Sequence, residues 1–128
     1  MILDTNALSA FFKKDPGLEP FLNKADQLYI PVIVLGEYLF GLQASSKADE
    51  LTKLLEDFLS RVRILPVIAQ TAVCYADIRG KLKKAGRPIP ENDIWIAALA
   101  KEHALPLLTR DLHFDLVKGI ERLDWQQQ

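Results

Sequence analysis

The sequence is poor in several things that would widen its functional range. Among 128 residues there is one cysteine, Cys74, so no disulfide can form within the chain and no cysteine-based zinc site can be built. A reducing cytoplasm is the expected setting. No apolar run approaches the ~20 residues needed to span a bilayer. The opening Met1-Ile2-Leu3-Asp4 lacks the basic stretch and apolar core of a secretory signal, so neither export nor membrane anchoring is expected. No sign of charge predominates either. With 16 basic and 17 acidic residues the net charge is −1, which excludes a general nucleic-acid coater. Repeats, low-complexity tracts and linkers are also missing. At 49% hydrophobic and 26% charged residues, one domain over 1–128 is expected, able to bury about two-thirds of its unfolded surface.

What is present is an alternation of short apolar strands and helices. Met1-Ile2-Leu3 reads as a buried strand that feeds a helix, Ala7 to Lys14, through the polar Asp4-Thr5-Asn6. Asp15-Pro16-Gly17 marks a turn, and a short helix follows from Leu18 to Ala25. Leu28-Tyr29-Ile30 is a second strand, with Pro31 placed for the first turn of a helix from Val32 to Gln43. That helix is apolar on nearly every side and is expected to be buried. A helix from Ser46 to Arg61 opens on a Ser-x-x-Asp capping signal. A brief strand within Val62 to Val67 precedes a long helix, Ala69 to Lys84. Asn92 to His103 is another helix, Pro106 to Thr109 a strand, Asp111 to Val117 a short helix and Ile120 to Leu123 a last strand. This order predicts an α/β sandwich with a parallel sheet.

Four acids stand out against that background. Asp4 and Asp111 each follow a strand, and ligand crevices in open parallel sheets lie beyond the carboxyl ends of the strands. Each also suits a helix N-cap, the simpler role. Glu37 is the only charge between Pro31 and Ser46, on the apolar helix, where an unpaired carboxylate costs several kcal/mol. It either reaches solvent on a narrow strip, meets a cation or binds a metal. Gly36 and Gly41 beside it suggest close approach by another backbone. Asp93 begins a second apolar helix, where an acid favours the dipole or faces the same crevice. At ~4 Å two like charges repel by about 4 kcal/mol at an effective dielectric of 20, so converging carboxylates call for a divalent cation. Oxygen donors select Mg2+ or Mn2+, which lower the pKa of a bound water and stabilise charge on phosphoryl oxygens. One acid can also serve as general base.

From Arg79 to Pro90 the chain carries Arg79, Lys81, Lys83, Lys84 and Arg87 with no acid among them. This is either a solvated helix end, complementing the dipole, or a phosphate-holding patch beside an acidic centre.

The motifs around the acids resemble the PIN-domain family. Ile2-Leu3-Asp4-Thr5-Asn6 is similar to the family's first motif and Pro31 to Glu37, followed by Gly41, to its second. Asn92-Asp93-Ile94-Trp95-Ile96-Ala97-Ala98 resembles the third, and Leu108-Thr109-Arg110-Asp111-Leu112-His113-Phe114 the fourth. The likeness spans the chain in order, with an acid in every motif, and is nearest to the VapC-type toxins of toxin–antitoxin pairs. It implies a three-layer α/β/α fold around a parallel sheet, Mg2+- or Mn2+-dependent endoribonuclease activity on RNA, a homodimer, and a small antitoxin that can place a basic side chain in the acidic site. By the same carry-over Asp4, Glu37, Asp93 and Asp111 bind metal, with Asn6 and Thr109 as polar supports. Arg79, Lys83, Arg87 and Arg110 are candidates for positioning the RNA backbone.

One position departs from the pattern. Many relatives carry a further acid just before the aromatic of the fourth motif, where this chain has His113, which puts a second metal site in doubt. His113 is either a surface residue or a group that meets metal or phosphate. Asp115, one helical turn beyond Asp111, is a candidate outer ligand. Two rival functions stand beside the nuclease: a binding module of the same fold with a vestigial site, and a phosphatase or receiver-like domain using Asp4 as nucleophile. The second usually wants an acid where Asn6 stands.

Overall fold

A computed structural model describes residues 1–126; the last two residues of the domain expected over 1–128 lie outside the described residues. Its strands are β1 (Ile2–Leu3), β2 (Tyr29–Pro31), β3 (Arg63–Leu65), β4 (Leu107–Leu108) and β5 (Arg122–Leu123). They form one sheet in the order β3-β2-β1-β4-β5, and every pairing is parallel. The helices are α1 (Thr5–Phe12), α2 (Glu19–Lys24), α3 (Val32–Leu42), α4 (Ala48–Leu59), α5 (Ala69–Lys84) and α6 (Glu91–His103). Single 3-10 turns cover Pro16–Leu18 and Leu112–Leu116. Ile2, Leu3, Leu107 and Leu108 are fully buried, as central parallel strands covered on both faces require. The order reverses direction at β1, with β2 on one side and β4 on the other. The ends of β1 and β4, at Asp4 and Thr109, therefore lie at the switch point where open parallel sheets bind their ligands.

Two apolar helices of similar composition have opposite fates. In α6, Ile94 and the run Ile96 to Ala100 are all buried, and α5 packs along it. Thr71, at the start of α5, donates its hydroxyl to Glu102 near the end of α6. The helix expected to be buried over Val32 to Gln43 is instead a surface helix. Only Val34, Tyr38 and Leu42 of α3 are buried, whereas Val32, Leu39 and Phe40 are exposed, Phe40 at 75%. Nothing lies within 4 Å of the place a Cβ would take on Gly36 or Gly41, so no backbone approaches either residue closely. Uniformly apolar composition does not say which helix is inside; the packing of α5 along α6 does.

The other departures are at element ends. The capping signal at Ser46 is not used: α4 begins at Ala48 with no side-chain cap, and Ser45 instead accepts the Lys47 amide. Pro31 closes β2 in extended backbone and stands just before α3 rather than in its first turn. The helix expected over Asp111 to Val117 is a 3-10 turn, and the strands near residues 62–67 and 120–123 are shorter than the sequence suggests. No helix among the described residues is long and apolar enough to cross a membrane.

Candidate active site

Asp4 sits where β1 hands over to α1, 5% exposed. Its Oδ1 accepts the Thr5 amide at 2.8 Å, so it does cap the helix. Its Oδ2 accepts the Thr109 hydroxyl at 2.7 Å. The same Thr109 oxygen accepts the Asn6 amide at 3.0 Å and the Asp111 backbone N–H at 3.0 Å. Asn6 accepts the Arg110 N–H at 3.2 Å. Asn6 and Thr109 thus stitch the end of β1 to the loop after β4, and among the described residues no buried side-chain polar atom lacks a partner.

Glu37 reaches this network from α3: the Thr5 hydroxyl donates to its Oε1 at 3.0 Å. The sequence alone offered Glu37 solvent, a cation or a metal; among the described residues neither a Lys nor an Arg pairs with it. Asp93 lies in the first turn of α6, its side chain 14% exposed, and Asp111 caps the 3-10 turn by accepting the His113 N–H at 2.9 Å. Burial is the main cause that raises the Asp4 carboxyl above its ordinary range, aided by repulsion from Glu37 and Asp111 and opposed by the Thr109 and Thr5 hydrogen bonds. Asp93 is pushed up to about 7, first by burial, then by the charges of Asp111 and Asp4. Asp4 is thus coupled to Glu37 and Asp111, and Asp93 to Asp111 and Asp4, whereas Glu37 reaches the group only through Asp4 and Thr5.

His113 does not simply face solvent. Its Nδ1 lies 3.0 Å from Asp111 Oδ1 and 3.6 Å from Asp93 Oδ2, with the side chain half exposed. One donor atom each from Asp93, Asp111 and His113 lie within 4.8 Å of one another. This set, with Asp4 alongside, fits a divalent cation: crowded oxygen donors, one carboxyl raised towards neutral pH, and a half-exposed imidazole at the rim.

Asp115 does not join the site. Arg122 grips it with two bonds, 2.7 and 3.1 Å, and also donates to the Thr109 carbonyl at 3.2 Å. The basic segment divides. Arg79 pairs with Glu91 at 3.3 Å and lies over the Tyr75 ring, which itself stacks on Trp95. Lys83 and Arg87 are exposed, and among the described residues no hydrogen bond or ion pair joins either to the four acids. Arg110 is the candidate cation beside the acids. Its guanidinium lies over Trp125, 5.1 Å from the ring centre, and it shares a hollow with Asn6, Ser9, Lys13 and Asp15. A second hollow, lined by Thr5, Ser9, Lys13 and Glu37, meets the first at Ser9 and Lys13. A larger hollow of about 590 Å3, lined by Met1, Phe21, Tyr29 and Leu105, is at the amino ends of the strands, away from the acids.

The sequence did not single out Thr5, Lys13 or Trp125, and it left His113 open between a surface residue and a group that meets metal or phosphate. Thr5 was legible in principle, since a hydroxyl directly after Asp4 is placed at the same helix start. Trp125 carried no local signal; its indole meets Asp15 across 110 positions, at 3.1 Å.

The profile of the PIN domain family matches residues 1–120. The chain is 32% identical over 127 residues to Ribonuclease VapC2 of Haemophilus influenzae, covering 97% of this chain and 96% of that protein. It is 30% identical to the tRNA(fMet)-specific endonuclease VapC of Salmonella typhimurium, over 97% and 96% of the two chains. Among solved structures, VapBC2 from Rickettsia felis bound to a promoter DNA fragment superposes with a TM-score of 0.85 at 29% identity, covering 97% of both chains. FitAcB from Neisseria gonorrhoeae reaches 0.89 at 28% identity, covering 99% of each. The parallel five-stranded sheet, the acids at its switch point and these likenesses agree: the chain belongs to the PIN-domain family, in its VapC ribonuclease branch.

Proposed function

We propose that this chain is a metal-dependent endoribonuclease, the toxin of a toxin–antitoxin pair, with Asp4, Glu37, Asp93 and Asp111 as its catalytic acids. The observation that carries the reading is the gathering of one donor atom each from Asp93, Asp111 and His113 within 4.8 Å of one another, beside the buried Asp4 carboxylate. A site that repels its own charges is one that a cation completes. Asp4, Asp93 and Asp111 would hold Mg2+ or Mn2+ directly, and Glu37, oriented by Thr5, would close the anionic side. The bound ion would supply a water of lowered pKa and offset charge on the phosphoryl oxygens. Asn6 and Thr109 keep Asp4 and the Asp111 loop in register. Lys13 and Arg110, at the junction and end of the two hollows along α1, are the cations best placed to take RNA phosphates on either side of the scissile bond. Arg79, Lys83 and Arg87 are at most outlying contacts.

The partners follow from the same reading. A small antitoxin would cover the acidic crevice, its basic side chain taking the place of the cation. A second copy of the chain would cover the exposed apolar stripe Val32, Leu39 and Phe40 on α3. Residues 1–128 would work as one catalytic domain in the cytoplasm.

The test is cleavage of total RNA, and of initiator tRNA, by the purified chain with Mg2+ or Mn2+ and with chelator. Asp93→Ala is the informative variant, since Asp93 caps nothing and its loss spares the α1 cap. Cleavage that depends on metal and falls by at least about a hundredfold in Asp93→Ala supports the reading. Cleavage unaffected by chelator or by Asp93→Ala ends it.

A further inference from the structure

We infer that His113 supplies a nitrogen ligand to the cation held by Asp93 and Asp111, and that this donor biases the site toward Mn2+ over Mg2+. The inference rests on the proposal that these acids hold a divalent ion, and adds to it a donor and a ranking of metals. Its ground is a juxtaposition. His113 Nδ1 is 3.0 Å from Asp111 Oδ1 and 3.6 Å from Asp93 Oδ2. Ligands ~2.1 Å from an octahedral ion lie roughly 3.0 Å apart when adjacent and roughly 4.2 Å apart when opposed. The Asp111 separation matches adjacent ligands, and the Asp93 separation lies about 0.6 Å from either value, within reach of a side-chain rotation.

The backbone that carries the imidazole is held from two sides. The His113 backbone N–H donates to Asp111 Oδ1 at 2.9 Å, and the next residue, Phe114, is 1% exposed and anchors the 3-10 turn in the core. Among the described residues no other histidine approaches the acids, because His103 stands beside Glu102 at the far end of α6. The chemistry sets the direction of the bias. Mg2+ takes oxygen donors and keeps its waters, whereas first-row ions accept imidazole. Mn2+ binds nitrogen most weakly in that series, so it is the stringent probe. The competing role for His113 is an imidazolium that only neutralises Asp93 and Asp111.

The experiment is pulsed electron paramagnetic resonance of the full chain loaded with Mn2+, with competition titration of Mn2+ against Mg2+ on wild type, His113→Ala and His113→Asp. His113 is half exposed, so both variants should fold, and circular dichroism checks this. The expected result is a nitrogen coupling to Mn2+ in wild type that is lost in both variants, while the ratio of Mn2+ to Mg2+ affinity drops about tenfold. No coupling in wild type, a coupling that survives His113→Ala, or an unchanged affinity ratio overturns the inference. An imidazolium ion pair alone gives the first of these. RNA cleavage by a wild type that lacks the coupling removes only the His113 assignment. A coupling without any cleavage removes the nuclease reading and leaves the ligand standing.

Discussion

Thr109 gathers more of the site than any acid does. Its one hydroxyl donates to Asp4 and accepts from Asn6 and from the Asp111 backbone, and the residue is fully buried. Thr109→Val keeps the shape and removes all three bonds. The expected cost is about 1–3 kcal/mol of stability in urea unfolding, because the partners stay buried without it. Metal affinity should weaken about tenfold or more as the Asp4 and Asp111 carboxylates lose orientation. Asp93 gives the fold a pH dependence. Its carboxyl sits at about 7 in the metal-free fold against an ordinary 3.8, so the folded chain holds a proton that the unfolded chain has released. That contribution to stability is present below about pH 4 and is lost as pH rises through about 7. The melting temperature of chelated protein should therefore fall across that window, and Asp93→Asn should flatten the fall. The acids themselves were readable from their places after strands and on apolar helices. The Thr109 hydroxyl was readable only as a polar neighbour, since its Asp4 and Asn6 partners lie more than 100 positions away.

The helices divide the labour between burial and display. Leu99 of α6 is fully enclosed, whereas Phe40 of α3 is largely bare. Leu99→Ala should cost about 2–5 kcal/mol in chemical denaturation. Phe40→Glu should change stability by no more than about 0.5 kcal/mol while shifting the chain to a monomer in light scattering. A Phe40→Glu protein that keeps the oligomeric state of wild type would show that this face is not the contact between copies. Both helices read alike in sequence, as apolar runs marked by an acid. What separates them is the company they keep: α6 carries its apolar residues under α5, while α3 shields the sheet with only Val34, Tyr38 and Leu42. Strand order was equally hidden, because two- and three-residue strands carry no register signal. Their alternation with helices sufficed to predict a parallel sheet.

At the scale of the molecule, the crevice is a joint product of residues from both ends of the chain. Metal binding should therefore stabilise the whole fold rather than one loop. At about 100 times its Kd, Mn2+ or Mg2+ should add about 2.7 kcal/mol to unfolding, and Asp93→Ala should remove most of the gain. Melting curves with and without chelator measure this directly. The chain ends matter here in a way the motifs did not reveal. Arg122 in β5 holds the Thr109 carbonyl and Asp115, and Trp125 holds Asp15 and backs Arg110. A chain ending before β5 would still carry Asp4, Glu37, Asp93 and Asp111 but would lack the Arg122 bonds to the Thr109 carbonyl and Asp115, so such a truncation should lower the melting temperature and weaken metal binding although no candidate ligand is lost.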